Sequence, residues 1–229
     1  AASDVYKRQM QMIALGFLGV ILLGGVLLWL PFSNQEPIAF ADALFTSVSA
    51  VCVTGLLTIV PATQFTVAGK VILLLLIQIG GLGLVTLTSF FALAMRRRMG
   101  FRGLRLLGES VSADSFSQAT QVLKVVVGLA IGFESLGAVL LMFAFVPQFG
   151  LEGIWISIFT SISAFCNAGF DLFGRFGEYA SLTPYVNNFY VQAVVIFMIA
   201  AGGLGFMVWV ELGEYRKKRR LSLHAKVVL

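Results

Sequence analysis

The chain's two cysteines each stand three residues before a glycine, in Cys52-Val53-Thr54-Gly55 and Cys166-Asn167-Ala168-Gly169. Both tetrapeptides end an eleven-residue string. Phe45–Gly55 (FTSVSAVCVTG) aligns without a gap on Phe159–Gly169 (FTSISAFCNAG), with Phe, Thr, Ser, Ser, Ala, Cys and Gly identical at seven positions. The side chains offer little chemistry, since two cysteines make no metal site. As repeat-equivalent small residues, Cys52 and Cys166 are expected to be free thiols. The backbone offers more. A strand of small and polar residues with a glycine that permits positive φ can turn successive carbonyl oxygens toward one axis and replace the hydration shell of a cation. A plain helix connector ending in glycine has no reason to repeat the whole string.

Other residues invite weaker readings. Glu134 lies in an otherwise uncharged run, Val125–Val146, where a carboxylate costs roughly 2.5–3.5 kcal/mol in a bilayer; a structural hydrogen-bonding role is expected for it rather than ion contact. Glu36, Asp42 and Glu152 flank the strings, where acids either concentrate cations or complement helix N-termini; both readings stand. His224 sits in a basic tail and reads as solvated. Gly80-Gly-Leu-Gly83 and Gly202-Gly-Leu-Gly205 echo each other. Neither completes a dinucleotide-binding Gly-x-Gly-x-x-Gly nor follows a strand, so close helix packing is expected of them, as of Gly128-x-x-x-Gly132. Gly-x-Ser-x-Gly, His-Glu-x-x-His and Gly-Lys-Ser/Thr are absent, which leaves enzymatic chemistry and resident cofactors without a foothold.

The elements that must carry the strings are apolar. Of 229 residues 59% are hydrophobic and 12% charged, against about 25% charged in a soluble domain; mean hydropathy is +0.94. The runs Met10–Leu30, Val71–Met95, Val125–Val146 and Ala180–Val210 contain Glu134 as their single charge. Each exceeds the ~20 residues that cross a ~30 Å hydrocarbon layer, so four transmembrane helices are expected. The net charge of +5 is gathered at Lys7–Arg8, Arg96–Arg105 and Arg216–Arg220, beside the span ends. That is the positive-inside pattern, which places both ends in the cytoplasm and argues against nucleic acid as a partner. The first run is longer than the 7–15 residues of a signal h-region, and a cut at Ala39-Phe-Ala41 would destroy a repeat. Residues 1–9 carry no usable pattern and read as a non-native or disordered leader.

The chain thus divides into two copies of span, string, span. Units cover residues 10–98 and 121–215, joined by a cytoplasmic linker at 99–120 and followed by a basic connector at 216–229. The second copy carries eight extra residues within 171–188. Each string lies between an outward and an inward span, so it starts and ends outside. The stretches Ile38–Ala50 and Leu151–Phe165 are apolar and helix-compatible, and an eleven-residue helix within either reaches only about 16 Å. They are expected to be re-entrant, a short helix dipping in and a non-helical segment returning, which is tolerated only where protein or a water-filled cavity satisfies the backbone.

SAVCVTGL followed by IQIGGLG resembles the first pore loop and following helix of the TrkH/KtrB superfamily of potassium transporters, and SAFCNAGF resembles its second pore loop. The likeness covers about residues 12–229 and is nearest the sodium-dependent, KtrB-type branch. It implies an all-α integral membrane protein of potassium-channel-like architecture, with two M1-P-M2 repeats here of the family's four: four transmembrane helices and two re-entrant pore helices. It places filter carbonyls at Val53, Thr54 and Gly55 and at Asn167, Ala168 and Gly169, bordered by Cys52 and Cys166, with K+ as cargo and Na+ as an activator. It further implies a lipid-embedded, multi-pass protein of the bacterial cytoplasmic membrane. The full-length protein would be a homodimer, joined to a cytosolic nucleotide-binding regulatory subunit of the KtrA or TrkA type. Leu104, Leu106, Leu107 and Val111 are spaced for an amphipathic helix in the linker, which fits that contact, the membrane surface or plain solvation. Two loops make half a ring, so the chain is expected to be truncated or to pair with another half.

Overall fold

A computed structural model describes residues 2–83, 113–177 and 180–205, with isolated positions beyond. Arg96–Arg105, Arg216–Arg220 and His224 lie outside the described residues, and with them the expectations for sidedness, regulator contact and linker residues 99–112; residues 113–120 of the expected linker are helical.

Among the described residues the long apolar runs form helices, with proline, glycine or capping side chains at several of their ends. Helix α1 spans Ala2–Trp29 and takes in residues 2–9. It stops before Pro31, which opens a 3₁₀ turn, Pro31–Ser33, a first-turn position that proline suits. Helix α2 is Phe40–Val51, α3 is the single turn Pro61–Gln64, and α4 is Val67–Gly81, capped by the Thr66 hydroxyl accepting from Gly69 N–H. Helix α5 runs from Ala113 to Phe149 and ends where Gly150 takes φ +61° and donates its N–H to Val146 O, a left-handed cap. Helix α6 is Glu152–Phe165. Helix α7, Phe189–Gly203, is capped by the Asn188 side chain. Among the described residues one helix, Lys124–Phe149, is long and apolar enough to cross a membrane; Ala14–Trp29, Val67–Gly81 and Phe189–Gly203 are shorter apolar helices.

The helices pack as two triplets, α1 with α2 and α4, then α5 with α6 and α7, and α4 of the first meets α6 of the second. The seams within the triplets match. Ser47 Oγ donates to Ile21 O at 2.8 Å, and its string partner Ser161 Oγ donates to Glu134 O at 2.7 Å. A Cβ on Gly24 would lie 2.5 Å from Ser47 Oγ, and one on Gly137 would lie 2.5 Å from Ser161 Oγ. Small residues at these points let backbones approach closely enough for a hydroxyl to reach a carbonyl on the neighbouring helix.

The ends of each triplet are tied differently. In the first, Gln35 N–H donates to Gln64 O and Thr66 N–H to Ser33 O, joining the chain before α2 to the chain after it. In the second, the longer connection closes over rings: Phe145, Phe149, Phe173, Phe176 and Tyr185 form successive contacts with centroids 5.2–6.4 Å apart. The extra residues of the second copy therefore supply part of an aromatic cap.

Candidate functional site

Helices α2 and α6 both end at a string cysteine, and the chain then turns back. At 12 and 14 residues they extend roughly 18 and 21 Å. The far end of α2 lies beside Gly80, near the end of α4, while the chain that follows returns to Pro61 and the start of α4; a Cβ on Gly80 would meet Val51 O at 2.3 Å. Gly202 does the same to Phe165 O, at 1.8 Å. The two Gly-Gly-Leu-Gly echoes are thus the seats of the two short helices, the packing role expected of them. Gly128 and Gly132 differ: neither finds an atom within 4 Å, because both lie on the outward face of α5.

The returning segments share one backbone conformation. Val53 and Asn167 take φ +55° and +57°, and Gly55 and Gly169 take +74° and +75°. The hydrogen bonds match as well. Val53 and Asn167 N–H donate to Ala50 O and Ala164 O; Thr54 and Ala168 N–H donate to Ser49 O and Ser163 O. A β-branched residue such as Val53 in the left-handed region costs on the order of 1–2 kcal/mol, and it is tolerated because the amides on either side are anchored to the helix end. Alternating handedness points successive N–H groups to one side and therefore carbonyls to the other. Among the described residues no donor reaches the carbonyl oxygens of Cys52, Val53, Thr54 and Gly55 or of Cys166, Asn167, Ala168 and Gly169.

The residues just beyond are clamped. Ser49 Oγ donates to Leu56 O at 2.7 Å, and Ser163 Oγ donates to Phe170 O at 2.6 Å; Thr54 Oγ1 adds a bond to Ser49 Oγ at 2.9 Å. Sequence reading missed this role, although the recurrence of both serines was its signal. The two segments also meet. A Cβ on Gly55 would lie 2.6 Å from Ala168 O and 3.4 Å from Gly169 Cα, so the glycines face each other with the Ala168 carbonyl beside them. Cys52 is exposed, Cys166 is buried, and both are free.

Acidic residues sort by position. Asp42 and Glu152 fall in the first turns of α2 and α6, where they complement the helix dipoles. Asp171 follows the second string; burial raises its carboxyl above the usual range, opposed by hydrogen bonds from Phe173 N–H and the Ser181 side chain. Glu134 is 7% exposed and accepts a 2.7 Å bond from Gln78 Nε2, in keeping with the structural role expected. Gln78 itself was unforeseen, since nothing local marks a partner 56 positions away. Among the described residues no three of His, Cys, Asp and Glu gather as a metal site.

A family model described as a cation transport protein, TrkH, matches residues 4–227. The potassium/sodium uptake protein NtpJ of Enterococcus hirae is 41% identical over 222 residues, 96% of this chain and 48% of its own length. The Ktr system potassium uptake proteins B of Bacillus subtilis and Vibrio alginolyticus are 37% and 36% identical, each again across 96% of this chain and 48% of the relative. The chain spans about half the length of these relatives. With 220 residues or more aligned at such identity, and the family model matching nearly the whole chain, the chain belongs to the TrkH family of cation transport proteins.

Proposed function

We propose that this chain supplies half of a potassium uptake pore in which ions pass along the backbone carbonyls of Cys52–Gly55 and Cys166–Gly169. The observation that carries the reading is the paired backbone reversal. Two loops of one conformation face each other through Gly55 and Gly169, with amides of each turned into the helix ends and carbonyls that meet no donor among the described residues. Such oxygens stand in for a cation's water shell. The C-terminal ends of α2 and α6, partly negative, lie where those carbonyls begin. The relatives' names, which specify potassium or potassium and sodium uptake, favour potassium as cargo.

In this reading α1, α4, α5 and α7 are the membrane spans, with apolar sequence following α4 and α7, and α2 and α6 are re-entrant. The outward faces suit lipid: Leu15, Leu23, Phe143 and Ile196 are each more than 60% exposed. Uptake is driven by the membrane potential, worth about 2.3 kcal/mol per charge per 100 mV. The ring is half complete. Gly81 of α4 receives Cys166 of the next unit, with a Cβ there 2.4 Å from Cys166 Sγ, while its counterpart Gly203 in α7 meets nothing within 4 Å. That open seat suits a third unit. Sodium activation, a homodimer of the whole transporter and a cytosolic nucleotide-binding partner belong to the same proposal; the word system in the relatives' names fits a transporter that works with a partner.

The test is uptake by a potassium-transport-deficient bacterial strain producing the whole transporter that contains this sequence. Gly55→Ser places a side chain at φ +74° against Ala168 O, so potassium uptake should fall and relative sodium uptake rise. An unaltered potassium-to-sodium ratio would defeat the filter assignment.

A further inference from the structure

The two units share one backbone plan, and two positions at which their residue types differ in polarity come together. Ile21 and Glu134 are equivalent, because the backbone oxygen of each accepts the hydroxyl of Ser47 or Ser161. Gln78 and Ala200 are equivalent, each two residues before the paired glycines. The two polar departures meet each other: Gln78 Nε2 donates to Glu134 Oε1 at 2.7 Å. The pair joins α4 of the first unit to α5 of the second, and it borders the second loop, with the Cys166 thiol 4.0 Å from Gln78 Oε1. The fit there is close, since Gly81 leaves no room for a Cβ beside Cys166 Sγ.

A pair whose only task was to hold two helices together could sit anywhere along them. This one sits where the second loop begins. A carboxyl group in an apolar span is costly, and here it is kept at the single level where its partner reaches the loop. Glu134 Oε1 accepts from Gln78 Nε2, and the same amide turns its Oε1 toward the Cys166 thiol.

Taking the two loops as filter halves, we propose that Glu134 is a positioning residue for ion selection. Through Gln78 it fixes the start of the second loop at Cys166, and with it the spacing between the carbonyls of Cys166–Gly169 and those of Cys52–Gly55. Neither Glu134 nor Gln78 touches the ion.

The decisive variant is the double exchange Gln78→Ala with Glu134→Ile, which gives each site the residue its repeat partner carries and leaves no buried polar group unpaired. Whole transporter bearing it is compared with the parent for rubidium and sodium uptake, normalised to membrane-inserted protein, with Gly55→Ser alongside. A hydrogen bond's worth of positioning predicts a drop of about tenfold in the rubidium-to-sodium ratio, beyond any change in amount. Glu134→Gln, which keeps an acceptor oxygen for Gln78, should recover most of the lost ratio. A parental ratio in the double variant, while Gly55→Ser shifts it, overturns this inference and leaves the filter intact. No shift in either refutes the filter itself. Should the double variant fail to insert, Gln78→Ala alone decides by the same ratio.

Discussion

Gly202 gives the sharpest test of how the second short helix is seated. A methyl group there would sit 1.8 Å from Phe165 O and 2.8 Å from Phe165 C. Ordinary contact begins at 3.4 Å, so relief needs a movement of about 1.6 Å between two backbones, not the rotation of a side chain. Phe165 is the last residue of α6, and its displacement disturbs the bonds from Asn167 N–H to Ala164 O and from Ala168 N–H to Ser163 O. Overpacking costs typically 1–3 kcal/mol, and two weakened hydrogen bonds about 1 kcal/mol each. Alanine in place of glycine in a helix returns about 1 kcal/mol. The net is a loss of about 2–4 kcal/mol, a factor of roughly 30–900 in the folded ratio. Gly132→Ala is the control, because it meets nothing within 4 Å and retains the helix gain. The measurement is the fraction of detergent-extracted transporter still monodisperse after a graded heat step. Gly202→Ala should fail several degrees below the parent, and Gly132→Ala should match or exceed it. Equal heat resistance of the two variants would refute the seating of α6 on α7.

Three further outcomes are expected. Ser163→Ala removes the hydroxyl that holds Phe170 O and leaves a buried acceptor unmet, a cost of about 1–3 kcal/mol; cation-uptake titration should show a raised KM for potassium with the protein still inserted. Ser49→Ala should be worse than Ser163→Ala in the same assay, because Ser49 also accepts from Thr54 Oγ1 and the second loop has Ala168 there. Asp171 has a native pKa raised from 3.8 by burial, so the folded protein binds the proton more tightly. Stability is then greatest below the ordinary carboxyl pKa and declines as pH rises from there through the raised value. Heat-step survival measured from pH 4 to 7 should fall with pH in the parent, and Asp171→Asn should flatten that slope.

Much of this was legible in the linear chain because its demands are local. The string from Phe45 to Gly55 and its copy from Phe159 to Gly169 encode a helix end, an anchored turn and a left-handed glycine within eleven residues, and each requirement restricts residue type on its own. Family membership followed from the same density of constraint. The paired glycines at Gly80 and Gly202 announced close packing, since nothing larger than hydrogen suits a backbone seat, although what they pack against was not written there.

What the chain order could not settle was which groups from distant segments come to share one place. Gly128 and Gly132 carry the small-residue spacing of a helix contact yet face outward, because spacing specifies a stripe and not the helix opposite it. Glu134 in isolation was a charge without a partner; the approach of α4 to the second unit brought Gln78 to it and placed both beside Cys166. The meeting of Gly55 with Gly169 is of the same kind. Residue type and short-range spacing determine how a segment can bend and which of its groups need partners. Tertiary packing alone chooses the partners, since that choice depends on the rotation and depth of whole helices summed over all their contacts.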